Sequence, residues 1–461
     1  MTTSPSYTAI NPATGEEISH HEHTTDEQVA DALQRSWTAY QAWGARPIEE
    51  RAKIVGAIAD LFAQRAKELG ALATQEMGKP IEEATGEAAF CADIFRYYAE
   101  HGPKLAADTV LEETDEYRAV IERRPIGPLL GIMPWNYPFY QIARFVAPNL
   151  MLGNTILLKH AESVPGCALA VQEIMDAAGV PQGVYQNIFA THEQVSSLIE
   201  APRLRGVSLT GSERAGAAVA QQAGAQLKKA VLELGGSDPY IVLSTADARQ
   251  HARDALAIRL ENTGQACNSN KRIIVHEDVY EEFLDEAISQ IRALHPADPA
   301  AGEENAFGPL SSEKAADILV DQVQRAREAG ATVHVGGERL ERPGFYVSPA
   351  VITDIPVGSD IYYEEFFGPI VQIYRVSSDE EALELANDTQ YGLGSSVYAV
   401  EEGRAEALAR SLDAGMVGVN QQPPETESMP FGGVKRSGYG RELGPLGMDE
   451  FVNKRLYAVK K

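Results

Sequence analysis

Two long stretches near the start of the chain place apolar side chains on one face of a helix. Residues 24–43 and 48–72 repeat such side chains at intervals of three and four positions. Thr25 precedes Gln28 by three positions, which is the spacing of a capping box. The pattern therefore predicts two helices, the first of them beginning near Thr25.

The pattern changes from residue 128 onward, where short apolar runs typical of buried strands alternate with helical stretches such as 167–179. The strand candidates cover residues 128–136, 154–160, 184–190 and 206–211. After residues 232–243 the alternation restarts and continues to about residue 420. Alternating strands and helices predict an α/β protein whose parallel sheets are covered on both faces. Residues 115–127 and 450–461 look like strands outside both alternations.

Composition and charge limit the classes of function. The chain has 461 residues, of which 44% are hydrophobic and 23% are charged, as in ordinary globular proteins. Lys and Arg number 40 and Asp and Glu number 66, so the formal charge is 40 − 66 = −26. A nucleic acid or an anionic membrane would require a basic face, so we expect neither as a partner.

The cysteines and the N-terminus bear on the compartment. Cys91, Cys167 and Cys267 show no paired metal-ligand spacing, and three cysteines cannot form a complete disulfide framework. The N-terminus lacks a signal-peptide pattern, and no run of eighteen apolar residues follows. We therefore expect a cytoplasmic protein in a reducing environment.

Polar residues follow several of the predicted strands, where ligands of open parallel sheets collect. Gly211 and Ser212 lie between a strand and a helix, so free N–H groups there could bind an anion. An ordinary N-cap serine explains the same pair equally well. Lys159 and Glu162 follow the run 154–160 and could contact a ribose or a phosphate. A solvated loop is the simpler interpretation of that pair when it is taken alone.

Two further segments invite a chemical interpretation. "MPWNYP" places Trp135 and Asn136 between two prolines, which makes the turn rigid. An asparagine held in this way could donate to a developing oxyanion, although a packed turn would look the same. "HHEH" at residues 20–23 suggests a metal, but neighbouring residues of a strand point to opposite faces. We therefore expect no metal site there.

Cys267 lies in "ENTGQACNSNKR", among small polar residues, whereas a cysteine kept for packing usually has aliphatic neighbours. The segments LTGS, LELGGSDP, TGQAC and EEFFGP occur in this order along the chain. Their joint order and spacing resemble the aldehyde dehydrogenase superfamily, and the match runs from "INPATGE" at residue 10 to "PFGGVKRSGYGRE" near the end. Within the superfamily, "LLKHA", "VLELGGSDP" and "PFGGVKRSGYGRELG" are most similar to the shorter bacterial succinate-semialdehyde dehydrogenases.

The resemblance implies a mechanism for oxidising an aldehyde to an acid. Cys267 would attack the carbonyl carbon as a thiolate. Asn136 and the backbone N–H of Cys267 would hold the oxyanion of the thiohemiacetal. After hydride leaves for the nicotinamide, Glu233 would activate the water that hydrolyses the thioester. The glycines that follow Glu233 are expected to let its side chain swing.

The resemblance also implies the cofactor contacts. Trp135, Gly211 and Ser212 would lie at the pyrophosphate, while Lys159 and Glu162 would face the adenosine ribose. Glu365 would hold the nicotinamide ribose and Phe367 would pack near the nicotinamide. Because Glu162 would repel a 2′-phosphate, we expect NAD to be preferred over NADP, with no metal required. Gly264, Gly368 and Pro369 are expected to shape turns, and Cys91 and Cys167 to serve packing.

The fold that the resemblance implies has two Rossmann-like α/β domains and a small β oligomerisation element. Residues 1–106 and 126–235 would form the cofactor-binding domain and residues 236–440 the catalytic domain. Residues 107–125 and 441–461 would form the oligomerisation element. Because an unpaired edge strand needs a cover, we expect a homodimer or a homotetramer.

The substrate is less defined than the reaction. Arg144 matches an arginine that binds the carboxylate of succinate semialdehyde in the resembling enzymes, and an arginine suits an anionic tail. Glu261 stands six residues before Cys267, where longer relatives carry a second arginine, and Glu425 and Glu427 precede "PFGG". If these acids face the substrate, a neutral or amine-bearing aldehyde competes with succinate semialdehyde.

Two other classes of protein would share the fold. A coenzyme-A-acylating relative would have no use for a water-activating carboxylate, so Glu233 argues against it. A non-catalytic structural or binding member would not need Cys267, Asn136 and Glu233 together, yet all three are present.

Overall fold

A computed structural model describes residues 6–461. Its α-helices are α1 (Asp26–Ala45), α2 (Ile48–Met77), α3 (Ile81–Leu105), α4 (Tyr140–Leu152), α5 (Pro165–Ala177), α6 (His192–Glu200), α7 (Glu213–Ala225), α8 (Ala248–Leu260), α9 (Glu277–Ala293), α10 (Glu313–Ala329), α11 (Asp379–Asn387), α12 (Arg404–Ala409) and α13 (Gly444–Gly447). Its strands are β1 (Tyr7–Ile10), β2 (Glu17–His21), β3 (Thr109–Glu113), β4 (Tyr117–Pro125), β5 (Pro128–Met133), β6 (Thr155–His160), β7 (Tyr185–Asn187), β8 (Gly206–Thr210), β9 (Lys229–Glu233), β10 (Pro239–Val242), β11 (Arg272–His276), β12 (His295–Pro296), β13 (Ala306–Phe307), β14 (Thr332–Val335), β15 (Ala350–Thr353), β16 (Ile370–Val376), β17 (Ser396–Tyr398), β18 (Gly418–Val419), β19 (Gly438–Tyr439) and β20 (Val452–Lys460).

The helices predicted near the start of the chain are confirmed. The side chain of Thr25 caps α1 by accepting from the Gln28 N–H, and the Gln28 side chain accepts from the Thr25 N–H, which completes the predicted capping box. The predicted helix over residues 48–72 is the larger part of α2, which ends at the left-handed Gly78. Within residues 6–461, no helix combines the length and apolar character needed to cross a bilayer.

The first large sheet has the strand order β19-β9-β8-β5-β6-β7 and is parallel except for β19. Alternate residues of its strands enter different cores. Leu129 and Ile156 pack with helices α2 to α5, whereas Leu130 and Leu157 pack with α1, α6 and α7. The sheet is therefore covered on both faces, as continuous apolar strands require.

The second large sheet has the order β14-β15-β16-β11-β10-β17-β18 and is parallel except at β14. Ile241 and Ile274 pack on one face with α10, α11 and α12. Tyr240 and Ile273 pack on the other face with α8 and α9. Two mostly parallel sheets, each between layers of helices, confirm the predicted α/β class.

A third sheet joins two distant parts of the chain. Strand β20 pairs antiparallel with β4, from Val452 opposite Pro125 to Lys460 opposite Tyr117, and β3 pairs with the other edge of β4. The predicted excursion and the predicted final strand therefore meet in one sheet. The domain boundaries and association through this sheet remain predictions.

Candidate active site

Most of the predicted cofactor residues lie at or after the carboxyl ends of neighbouring strands of the first sheet, whereas Glu365 and Phe367 precede β16 of the second sheet. The chain leaves β5 for β6 on one side and later returns to β8 on the other side. The crevice between β5 and β8 is thus a topological switch point, where open α/β sheets bind their ligands. Trp135 and Asn136 follow β5, and Gly211 and Ser212 follow β8. Strand order therefore explains why these two segments meet.

One cavity of about 290 Å³ brings together seven of the predicted site residues. They are Trp135, Asn136, Gly211, Ser212, Cys267, Glu365 and Phe367. The rings of Trp135 and Phe367 meet edge to face with centroids 5.9 Å apart, which joins the turn after β5 to the segment before β16. The sulfur-bearing loop and five of the seven predicted dinucleotide contacts therefore open onto the same space, whereas Lys159 and Glu162 are not among the residues that line it.

A strained turn presents Cys267 to this cavity. Between α8 and β11 the backbone of Asn262 and Thr263 is left-handed, with φ of 49° and 54°, and Gly264 follows with φ of 73°. Left-handed backbone is rare for a β-branched residue and is concentrated at functional sites. A Cβ at Gly264 would overlap the carbonyl oxygen of Gly368, so the predicted turn-forming glycines pack directly on each other.

Arg259 holds this turn in place, a role that the sequence did not reveal. Its guanidinium is fully buried and donates to the carbonyl oxygens of Phe366 at 2.8 Å, Ile370 at 2.9 Å and Gly264 at 3.2 Å. One side chain thus ties the Cys267 loop to the segment that carries Glu365 and Phe367.

Asn136 is buried and bonded to the Cys267 loop. Its Nδ2 donates to the Gln265 carbonyl at 3.0 Å, and Asn262 Nδ2 donates to the Asn136 carbonyl at 2.9 Å. An amide nitrogen carries two protons, so the second N–H can serve another acceptor in the cavity. The geometry fits the predicted oxyanion donor, whose role remains a prediction.

Two buried side chains support the turn that carries Asn136. Glu87 Oε1 accepts from the backbone N–H groups of Phe139 at 2.8 Å and Tyr140 at 3.0 Å. Nε2 of the fully buried His160 lies 2.9 Å from the Pro138 carbonyl, and burial lowers the pKa of this imidazole to about 4. A neutral histidine can donate to that carbonyl, so the turn is held from two sides.

The half-buried thiol of Cys267 lies among opposing charges. Burial raises its pKa to about 12, and the carboxylates of Glu365 and Glu233 act in the same direction. The cations of Arg144 and Lys271 oppose this shift. A thiolate is the nucleophilic form, so these cations favour the reactive state of the thiol.

Glu233 ends β9 next to the cavity but is buried behind its wall. Its carboxylate oxygens have no hydrogen-bond partner within residues 6–461, and burial holds the pKa of the side chain well above its usual value. The positive charge of Arg144 opposes that shift. A buried carboxyl without a partner is unfavourable for stability and typical of a functional group. Its role as general base remains a prediction.

Gly235 and Gly236 permit close packing after Glu233. A Cβ at Gly235 would lie 2.5 Å from Glu365 Oε2, and a Cβ at Gly236 would overlap the Cys267 carbonyl oxygen. The two glycines therefore allow the end of β9 to approach both the cysteine loop and Glu365. This packing gives a steric reason for the pair besides the predicted movement of Glu233.

Arg144 already has a carboxylate partner within the chain. Its side chain is 1% exposed, forms an ion pair with Glu442 and donates to Thr210 Oγ1 at 3.1 Å. The rings of Tyr140 and Phe431 flank its guanidinium at 5.0 and 4.5 Å. Arg144 reaches the cavity wall through Thr210 and is not among the residues lining the cavity. Its contact with a substrate tail remains a prediction.

Lys159 and Glu162 form an ion pair where the adenosine ribose is predicted to bind. Burial of Glu162 opposes its ionisation, but the charge and hydrogen bond of Lys159, together with a backbone hydrogen bond and His192, lower the pKa of the carboxyl below its usual value. His192 Nε2 also lies 4.0 Å from Glu162. The carboxylate is therefore ionised at neutral pH and close to two basic side chains.

Ser212 is the N-cap of α7, since its Oγ accepts from the Ala215 N–H at 3.4 Å. The capping interpretation of the sequence is thus correct. A cap and an anion site are compatible, because the first turn of a helix has other free N–H groups. The predicted pyrophosphate contact remains a prediction.

Two of the three glutamates that could oppose an anionic substrate lie at a separate cavity beside the Cys267 loop. Glu261 and Glu425 line a second cavity of about 340 Å³, together with Ala266 and Asn268, which flank the cysteine. Glu261 Oε1 accepts from the Tyr137 hydroxyl at 2.9 Å, and Glu425 accepts from Asn268. Glu427 is not among the residues lining this cavity.

The remaining cysteines and histidines fall outside the site. Cys91 and Cys167 are fully buried in the apolar core, which fits their predicted packing role. In the "HHEH" segment, His20 Nδ1 lies 3.0 Å from Thr8 Oγ1 and the ring of His21 packs near Phe189. Across residues 6–461 no group of three or more His, Cys, Asp or Glu side chains is arranged to hold a metal ion.

Comparison with known proteins identifies the family. Residues 1–456 match the aldehyde dehydrogenase family. The chain belongs to this family. The resemblance inferred from the order of the motifs is thus confirmed, and the protein is an NAD(P)-dependent enzyme that oxidises an aldehyde to an acid.

Individual relatives are similar over almost their whole length. The succinate-semialdehyde dehydrogenase (NADP(+)) of Deinococcus radiodurans is 47% identical over 450 residues, covering 98% of this chain and 94% of the relative. Succinate-semialdehyde dehydrogenase (NADP(+)) 1 of Mycobacterium bovis is 40% identical over 446 residues, covering 96% and 97%. The crystal structure of succinic semialdehyde dehydrogenase from Streptococcus pyogenes, in complex with NADP+, has 38% identity, a TM-score of 0.95 and coverage of 99% of this chain and 100% of that one. The predicted aldehyde dehydrogenase-like fold is confirmed.

Proposed function

We propose that this aldehyde dehydrogenase oxidises succinate semialdehyde to succinate. The chemistry rests on one observation: Cys267 opens onto a cavity that Asn136 also lines, beside the buried carboxyl of Glu233. The choice of aldehyde is supported by relatives of 38–47% identity whose names specify succinate semialdehyde.

The residues of the chain divide the reaction between them. The Cys267 sulfur forms a bond to the carbonyl carbon, and the carbonyl oxygen becomes an oxyanion that accepts from Asn136 Nδ2. A dinucleotide bound in the cavity would supply the acceptor for the hydride that the carbon loses. Glu233 then takes a proton from water, whose oxygen attacks the thioester carbon; the carbon–sulfur bond breaks, and the acid and the Cys267 thiolate are released. Because burial raises the pKa of Glu233, hydrolysis should accelerate as pH rises through that pKa.

The cavity suits a dinucleotide. Gly211 leaves the space beside it open, since a Cβ there would meet only Leu209 Cδ2 at 3.7 Å. Ser212, the start of α7 and Glu365 would hold the pyrophosphate and the nicotinamide ribose. The residues present therefore fit the cofactor that the family uses.

For the second ribose we propose that Glu162 favours NAD. An ionised carboxylate can accept from two ribose hydroxyls but repels a 2′-phosphate. Lys159 reduces this repulsion, so NADP should still be used. The NADP in the names of the relatives supports that second use.

A second substrate class is favoured by the cavity beside Cys267. Glu261 and Glu425 would attract an amine-bearing aldehyde and oppose an anionic tail if both remain ionised. Succinate semialdehyde has the support of the relatives, whereas the amine has the support of the local charge.

We also propose that the third sheet mediates association into a homodimer or a homotetramer. Val110, Leu111, Leu456, Tyr457 and Val459 are exposed on β3 and β20. Apolar side chains on exposed edge strands are a liability unless another subunit covers them.

A panel of aldehydes tests the proposal. Succinate semialdehyde, propanal and 4-aminobutanal are each assayed with NAD and with NADP by the absorbance of the reduced cofactor. The highest kcat/KM should belong to succinate semialdehyde. A clear preference for 4-aminobutanal would overturn that choice and support the amine alternative, and equal values for all three would exclude recognition of the tail.

A further inference from the structure

Lys271 is a fully buried cation directly behind the nucleophile loop. It precedes β11, and its Nζ donates to the carbonyl oxygens of Ala266 at 2.6 Å and Cys267 at 2.8 Å. The same Nζ lies 3.0 Å from Glu365 Oε1. An ammonium has three protons, and these three acceptors account for all of them.

Glu365 is placed by contacts from two directions. Its Oε1 also accepts from the Gly236 N–H at 3.1 Å, and Gly235 leaves room for Oε2. Gly236 in turn packs on the Cys267 carbonyl. The carboxylate, the lysine and the cysteine loop therefore form one connected unit in which Lys271 supplies the only bond from Glu365 to the loop among the described residues.

We propose that Lys271 is a positioning residue that couples Glu365 to the loop of Cys267. The inference rests on the proposed function in one respect, since it takes Glu365 as the carboxylate that holds the nicotinamide ribose. Through Lys271, the geometry of the ribose contact and the placement of the sulfur depend on each other. The cation also lies near enough to the thiol to favour the thiolate, while Glu365 opposes it.

Alkylation of the thiol tests the electrostatic part without turnover. Cys91 and Cys167 are fully buried, so iodoacetamide should report on Cys267 in the folded enzyme. Lys271→Met removes the charge and the donors, whereas Lys271→Gln removes the charge and keeps a donor. Both should slow alkylation at a fixed pH, by about tenfold for each unit by which the pKa of the thiol rises.

The control is Lys228→Met. The Lys228 ammonium also donates to two backbone carbonyls, those of Ile199 and Ala201, but belongs to neither cavity. Its removal should cost stability without moving the pH profile of alkylation. A similar shift in this control would mean that loss of stability alone alters the thiol, and would overturn the proposal.

Coupling to Glu365 is tested by dinucleotide binding, measured by fluorescence without an aldehyde. Lys271→Met and Glu365→Gln should each weaken binding several-fold, and the double variant should bind about as poorly as Glu365→Gln alone. Additive losses would show that Lys271 does not act through Glu365. Because neither readout uses an aldehyde, failure of the succinate semialdehyde assay would leave this test intact.

If the Lys271 variants do not fold, alkylation of Glu365→Gln tests the coupling between Glu365, Lys271 and the thiol instead. Glutamine has nearly the shape of glutamate, so Glu365, whose side chain is 18% exposed, can lose its charge with little loss of packing, and the Lys271 cation would then act on the thiol unopposed. Alkylation should shift to lower pH. An unchanged pH profile would overturn the proposal.

Discussion

Replacing Arg144 by methionine should separate two roles of this residue. In the structure its guanidinium forms an ion pair with Glu442, and the two side chains are 1% and 5% exposed. After the change, the Ser208 hydroxyl, 3.2 Å away, would be the one hydrogen-bond donor left to the Glu442 carboxylate among residues 6–461. A carboxylate would thus remain in the interior without a counter-charge.

The size of the loss follows from burial. Removing one member of a buried ion pair costs about 3–5 kcal/mol because the other charge is left uncompensated. Burial raises the pKa of Glu442, and the positive charge of Arg144 counteracts this rise. Without Arg144, the pKa of Glu442 should therefore rise further. A carboxyl whose pKa is higher in the folded state loses stability as pH rises above its unfolded value. The deficit of Arg144→Met should therefore be larger at about pH 8 than at about pH 5.

The assay is urea unfolding of the wild type, Arg144→Met, Glu442→Leu and the double variant at one protein concentration. The double variant should be more stable than the sum of the single losses predicts, because it leaves no unpaired charge. Additive losses, or a loss below about 1 kcal/mol in Arg144→Met, would refute this account of the pair.

Steady-state kinetics of the Arg144 and Glu442 variants test whether Arg144 also binds the substrate. If Arg144 also binds the tail, Arg144→Met should cost about 1.5–3 kcal/mol of transition-state binding for succinate semialdehyde beyond its effect on propanal. Glu442→Gln should then raise the preference for succinate semialdehyde, because it frees the guanidinium. Equal changes for both aldehydes would leave Arg144 with the structural pairing alone.

Three other substitutions address the reaction and the cofactor. Cys267→Ala should abolish aldehyde oxidation while dinucleotide binding, measured by fluorescence, persists; substantial turnover would contradict the role of the thiol. Glu233→Gln should keep a burst of reduced cofactor and slow steady-state turnover. It should also raise the melting temperature, because it replaces a buried carboxyl without a partner. Unchanged steady-state turnover, where hydrolysis limits the wild type, would show that Glu233 is not the general base. Glu162→Ser should raise kcat/KM for NADP relative to NAD, since like charges 4 Å apart repel by about 1–4 kcal/mol; a wild type that clearly prefers NADP would contradict the placement of Glu162.

The strands of the first sheet could be predicted because burial on both faces leaves a clear pattern. Residues 128–136 and 154–160 are apolar runs, and they contain β5 and β6. The turn from strand to helix indicated an anion site at Ser212, whereas Trp135 was assigned to the cofactor through the resemblance to the family, and both residues line one cavity. The strands could thus be inferred from local sequence, but the assignment of the cofactor residues needed the resemblance as well.

The partners of the buried charges could not be predicted in the same way. Arg144 contacts Glu442, and Arg259 contacts carbonyls of residues 366–370, far away along the chain. Such contacts depend on how segments that are distant along the chain pack against each other. The periodicity of helices and strands carries no information about that packing. A pairing of Arg144 with a substrate carboxylate could be inferred from resemblance, but its pairing with Glu442 is visible only in three dimensions.

The role of the two glycines after Glu233 also could not be predicted from the sequence alone. Gly235 and Gly236 suggested freedom for Glu233, yet a Cβ on either would meet Glu365 or the Cys267 loop. A glycine in a sequence signals either a special backbone conformation or a close approach. Only the segments that pack against the glycine in the folded protein show which of the two applies.

The charge around Cys267 also differs from the charge of the whole chain. The protein carries a formal charge of −26, but Arg144 and Lys271 place two buried cations close to the thiol. Each cation has a carboxylate partner, Glu442 for the first and Glu365 for the second. The field at the sulfur therefore depends on how firmly each carboxylate holds its cation. A change that draws Glu365 away from Lys271 should favour the thiolate, and so the residue predicted to hold the ribose is also placed to tune the nucleophile.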